Sequence, residues 1–166
     1  MKVHFYICLI ISFSLLVACE KDDICAEGTA VTPRVIIEFY DATNTTVLKS
    51  VTNLGVIVPT FTTGLSFTGA SKIEVPLRTT ADLTSLNFIQ NGSDSDTTND
   101  NIDLLTFNYV RNDVYISRAC GYKTVFYLDA TNPIELIADG NNWIQNIEVI
   151  QPNIETENEV HVKIYF

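Results

Sequence analysis

The chain reads as all-β: a single antiparallel β-sandwich domain, with a closed barrel as the alternative. Three observations lead there. From Pro33 onward, short β-branched and aromatic runs alternate with Asn, Asp, Gly, Thr and Pro, and no long stretch carries a helical period. Several runs alternate apolar with polar residues, so each has one face to bury. The last run continues to residue 166, as expected of a strand that completes a sheet.

The elements follow in order. Residues 1–18 have the layout of a secretory leader, with Lys2 as a basic start, an apolar run from Phe5 to Val17, and the small Ala18 before Cys19. That run is shorter than the ~20 apolar residues that span a bilayer, and charges follow it at once, so it reads as an address and not a span. Leu16-Val17-Ala18-Cys19 resembles the lipobox of bacterial lipoproteins. The resemblance implies that Cys19 becomes the first mature residue, diacylated on sulfur and acylated on its amine. Each buried acyl methylene contributes ~0.8 kcal/mol, and stable attachment needs more than one chain. Residues 19–32 are then a short lipidated linker, and 33–166 the β domain. Within the linker, Lys21, Asp22 and Asp23 resemble the surface-export signal of Bacteroidota-type lipoproteins. They imply an outer-membrane protein displayed outside the cell; the alternative is the periplasmic side, since charges here also keep a linker solvated.

In RVIIEFY, Val35, Ile37 and Phe39 share a face, although Ile36 makes the strand apolar on both sides. KIEVPLR alternates Ile73, Val75 and Leu77 against Lys72, Glu74, Pro76 and Arg78; a proline cannot donate to a ladder, which predicts an edge or a bulge. TSLNFIQ places Leu86 and Phe88 together. In IDLLTFNYVRNDVYISRAC a tight turn is expected at Asn112-Asp113, giving a core face of Leu105, Phe107, Tyr109, Val114 and Ile116. Further strands are expected near 122–129, 143–150 and 159–166, about eight in all. In the last, Val160, Val162, Ile164 and Phe166 oppose His161, Lys163 and Tyr165, so His161 is expected at the surface.

Composition narrows the function classes. The formal charge is −10, and removing the leader with Lys2 makes the mature chain −11, a balance that opposes binding to a phosphate backbone and attraction to anionic lipid. Nucleic acid is not an expected partner. Of four cysteines, Cys8 leaves with the leader and Cys19 carries lipid. Cys25 and Cys120 remain, and in an oxidising compartment they are expected to form a disulfide.

Nucleophilic catalysis needs a base, and His161 is the one histidine of the mature chain. No Gly-rich phosphate loop, H-E-x-x-H or C-x-x-C occurs, and no metal or cofactor is implied. The loop NGSDSDTTNDNID concentrates Asp94, Asp96, Asp100 and Asp103, but its spacing departs from a calcium-binding EF-hand loop. Asp96-Thr97-Thr98 resembles the O-glycosylation acceptor sequence of Bacteroides-type bacteria, with Thr97 as acceptor. Trp143, Tyr109, Tyr115, Tyr122, Phe126 and Tyr127 are candidates for a stacking platform, with Tyr115, Tyr127 and Tyr165 on the parities most open to solvent.

EGTAVTPRVIIEFYDATN, EVPLRT, FNYVRNDVYISRACGYKT, NNWIQNIEVIQPNIE and EVHVKIYF resemble a family of uncharacterised lipoproteins of flavobacterial-type (Bacteroidota) bacteria. The resemblance implies an envelope location and one compact domain, without catalytic residues to carry over. The expected function is a non-catalytic envelope lipoprotein that contacts protein or glycan. The alternative is a carboxylate-dependent hydrolase of an envelope or extracellular polymer.

Overall fold

The computed structural model describes residues 24–166. The leader, the lipidation site Cys19 and the export residues Lys21, Asp22 and Asp23 lie outside the described residues.

Eleven strands form two sheets, with no α-helix among the described residues: β1 Val35–Tyr40, β2 Leu54–Ile57, β3 Leu65–Phe67, β4 Lys72–Val75, β5 Leu83–Gln90, β6 Asn101–Ser117, β7 Gly121–Leu128, β8 Ile134–Leu136, β9 Asn146–Val149, β10 Asn153–Ile154 and β11 Val162–Tyr165. The smaller sheet has the order β4-β1-β11-β9; the larger runs β10-β7-β6-β5-β2-β3, with β8 also paired to β6. The sheets pack face to face and do not close into a barrel, so the sandwich is the fold.

The described chain falls into two compact units. One comprises residues 24–30 and 115–123, the tip of the β6–β7 hairpin with the segment before the first strand; the other comprises 31–114 and 124–166.

The core of the larger unit is built from the predicted alternation. Val35, Ile37 and Phe39 of β1, Ile73 and Val75 of β4, and Val162 and Ile164 of β11 meet Leu86 and Phe88 of β5, Leu105, Phe107 and Tyr109 of β6, and Phe126 of β7. Trp143 joins this cluster and donates its indole N–H to the Phe88 carbonyl at 3.1 Å, which satisfies its one polar atom. The edge position predicted by Pro76 is correct: β4 ends at Val75 and borders its sheet.

Three features differ from the expectations. First, β1 and β11 pair in parallel, Ile37 beside Val162 and Phe39 beside Ile164, in an otherwise antiparallel sheet. Strands from distant parts of a chain can pair in either direction, because no tight turn constrains them.

Second, the hairpin turn is not at Asn112-Asp113. β6 runs unbroken to Ser117 and the chain reverses over residues 118–120. A two-residue turn of the usual hairpin types needs left-handed backbone, which neither Asn112 nor Asp113 adopts, whereas Gly121 has φ +70°. The Asp113 carboxylate instead accepts the Thr124 hydroxyl at 2.7 Å across the hairpin. Without a reversal at 112–113, alternation puts Val114 on the face opposite Leu105 and Phe107, and neither Val114 nor Ile116 belongs to the core cluster.

Third, His161 is fully buried, not at the surface. Its parity is as predicted, but this part of the outer face is covered. Glu157 accepts the Arg34 backbone N–H (2.9 Å) and guanidinium (2.7 and 2.6 Å), clipping the segment before β11 beside the start of β1. Strands β2, β3, β8 and β10 are additional to those expected.

Candidate functional site

Among the described residues, two grooves and one buried histidine are the candidates for a site. The first groove lies wholly in the smaller unit. The Cys25–Cys120 disulfide, as expected from cysteine counting, joins residues 95 apart in sequence with their Cα atoms at 4.8 Å. It holds residues 24–30 against the hairpin tip and encloses a groove of about 450 Å³ lined by Ile24, Thr29, Tyr115, Ile116 and Arg118 among others. The Ser117 hydroxyl accepts the Cys120 N–H at 3.0 Å and closes the turn. Tyr115 and Tyr122 meet edge to face at 5.3 Å between ring centres, yet stay 54% and 69% exposed, and Ile24 is 82% exposed. These three side chains leave apolar surface open on a small, covalently closed tip.

The second groove, about 290 Å³, opens in the larger unit between β3 and β4, the edge strands of the two sheets. Val56, Val58, Leu65, Val75, Leu77 and Leu86 form its walls, with Phe61, 64% exposed, at its mouth. Its shape depends on Gly64, where a Cβ would collide with the Val56 carbonyl oxygen, so a side chain there would force β3 away from β2. Thr84 is part of its lining, and the buried Thr84 hydroxyl lies 2.6 Å from that of Tyr109; Tyr109 donates to the Arg78 carbonyl, and Thr84 accepts the Arg78 N–H. This fixes the Arg78 backbone at the rim, and its guanidinium makes no ion pair with the described residues. Neither groove is lined by a carboxylate.

The third place is the buried pair His161 and Ile36. Nδ1 of His161 accepts the Ile36 N–H at 2.9 Å, so the neutral ring carries its proton on Nε2, which has no hydrogen-bond partner and feels the Thr156 carbonyl. Burial pushes the imidazole pKa down, against the smaller opposing pulls of Glu159 and Glu157. A sealed, neutral histidine with one ring nitrogen committed to backbone is structural, and it activates no nucleophile.

The acidic loop splits apart. Asp94 accepts the Asp96 N–H and the Asn53 amide; Asp96 caps the 3-10 turn Thr97–Asn99 through the Thr98 N–H and hydroxyl. Asp103 turns inward, buried on β6, and takes the Ile144 N–H at 2.8 Å and the Asn142 amide at 3.1 Å. Burial raises its pKa and those hydrogen bonds oppose the rise. Its role is to hold the 139–145 loop, which seats Trp143. Among the described residues no three His, Cys, Asp or Glu side chains are placed to share a metal ion. Thr97 is exposed, and its hydroxyl is not used by the Asp96 cap.

The aromatic platform does not assemble as one surface. Trp143, Tyr109 and Phe126 are core, Tyr127 is partly buried with its hydroxyl on Glu155, and Tyr165 is 7% exposed. Glu148 accepts the Tyr165 hydroxyl at 2.7 Å and pushes its pKa up to about 12, keeping it a donor. Sequence reasoning missed the second groove: the alternating apolar residues of β4 and β5 read as core, and only the exposed Phe61 between Pro59 and Gly64 hinted at a rim.

The fold and these grooves define a two-sheet β-sandwich with an edge cleft and a disulfide-closed hairpin tip. By sequence the chain belongs to a family of unknown function, DUF6452, whose profile matches residues 56–166. That match begins within β2 and leaves out β1, although β1 sits between β4 and β11 in its sheet, so position 56 is no structural boundary. No curated protein and no solved structure shows significant similarity to the chain.

Proposed function

We propose that this protein is a non-catalytic lipoprotein of the cell envelope, acylated at Cys19 and anchored in the outer membrane. Its sandwich binds a partner protein through the cleft between β3 and β4. The observation that carries the binding reading is the cleft itself: apolar walls, an exposed Phe61 and the rim guanidinium of Arg78, with no carboxylate in the lining. Such a site takes an apolar side chain whose chain carries a nearby carboxylate. A glycan would want exposed aromatic faces, and here Phe61 alone offers one. The hydrolase reading needs two convergent acids, and neither groove provides a pair.

The anchor reading rests on the lipobox-like Leu16-Val17-Ala18-Cys19, and the surface-display reading on Lys21, Asp22 and Asp23. The periplasmic side is the alternative location. The exposed Thr97 in its Asp96-Thr97-Thr98 context is the position proposed for an O-linked glycan.

The test is a photo-crosslinking residue placed at Phe61 in cells that express the full chain. A discrete adduct that disappears with Arg78→Glu supports the cleft. The same adduct from an equivalent probe at the exposed Val110, which does not line the cleft, or none at all, overturns it.

A further inference from the structure

We propose that the β6–β7 hairpin tip is a membrane foot, which rests on the lipid surface with Tyr115, Tyr122 and Ile24 among the headgroups. The inference rests on the lipid anchor at Cys19 proposed above.

Two observations on the smaller unit support it. The first is reach. Six residue steps separate Cys19 from Cys25, and at ~3.3–3.6 Å per extended residue they span about 20 Å at most. The Cys25–Cys120 bond joins the end of that tether covalently to the tip, so the tip cannot leave the membrane surface by more than this length.

The second is composition. Tyr115 and Tyr122 form an exposed pair beside the exposed Ile24. Tyrosines with an apolar ring and a polar hydroxyl suit the bilayer interface, where one end is dry and the other wet.

The disulfide thus does more than close a loop. It fixes which end of the hairpin faces the lipid, a selection that a flexible tether alone would not make.

The experiment uses the full, acylated chain reconstituted in vesicles of equal parts phosphatidylethanolamine and phosphatidylglycerol, with phospholipids brominated close to the headgroup as quencher. Wild type emits from Trp143, buried on the Phe88 carbonyl, and its emission should be unchanged by bromine. The variant Tyr115→Trp should lose roughly half of its added emission, as an interfacial indole does. Tyr122→Trp is the second probe, should the first variant fail to fold.

If the acylated chain binds vesicles but neither added tryptophan is quenched, the foot is wrong and the anchor stands. Cross-linking of two tips in place of quenching also overturns it, in favour of a second copy as occupant. If mass analysis finds Cys19 without acyl groups and the chain stays in solution, the anchor reading falls and the foot falls with it.

Discussion

Lowering the pH from about 8 to about 5 should destabilise this fold through one residue, His161. The imidazole is fully buried, accepts the Ile36 N–H on Nδ1, and has its pKa pushed below the ordinary 6.5, chiefly by burial. An unfolded chain therefore binds more protons than the native one between the native pKa and 6.5. Stability is fully present above that window and is lost as pH falls through it toward the native pKa. One proton sets the ceiling on the slope, ~1.4 kcal/mol per pH unit. Glu157 does not confuse the reading: its Arg34 partner holds it at about 2, so its own loss occurs at more acid pH. Urea unfolding followed by Trp143 emission at a series of pH values measures the slope. His161→Asn can offer an amide oxygen to Ile36 and cannot titrate, so it should flatten the pH dependence. His161→Leu orphans a buried N–H and should cost about 1–3 kcal/mol even at pH above the window. A wild-type slope that survives in the Asn variant would refute the assignment.

Other consequences are equally direct. Cys25→Ser and Cys120→Ser should each destabilise to the same extent, up to ~4–5 kcal/mol for a closed loop of this size, and the double variant should add little; equal midpoints for oxidised wild type and either variant in denaturant titrations would contradict this. Gly64→Ala should lower stability by about 1–3 kcal/mol through the clash with Val56 and should weaken crosslinking from Phe61; an unchanged midpoint would show that β3 yields freely. Replacing Lys21, Asp22 and Asp23 together by alanine should protect the domain from protease added to intact cells, while wild type is shaved. A wild-type domain that stays protected until the outer membrane is broken belongs on the periplasmic side.

What was legible in the sequence was whatever alternation alone decides. β1, β4, β5 and β11 each carry apolar residues two apart, and their core faces were assigned correctly because a strand's side chains have no other periodicity. β2 escaped detection because Leu54, Gly55 and Val56 are all buried, which erases alternation. Asn112-Asp113 misled because Asn and Asp are common in turns; the deciding residue was Gly121, where the left-handed backbone costs least. Parity places His161 opposite the core, yet it is fully buried beside the segment that Glu157 clips to Arg34, residues 123 apart in sequence, which no local pattern reports. The disulfide was found by elimination. The cleft was not, since it exists only where the edges of two sheets meet.

The lipid anchor underlies the envelope location, the surface display and the membrane foot, and mass analysis of the chain extracted from native membranes tests it most directly. The account predicts a mature protein that begins at Cys19, with a thioether-linked diacylglycerol and an acylated amine. A chain that still carries residues 1–18, or one cut elsewhere with Cys19 unmodified, would contradict it.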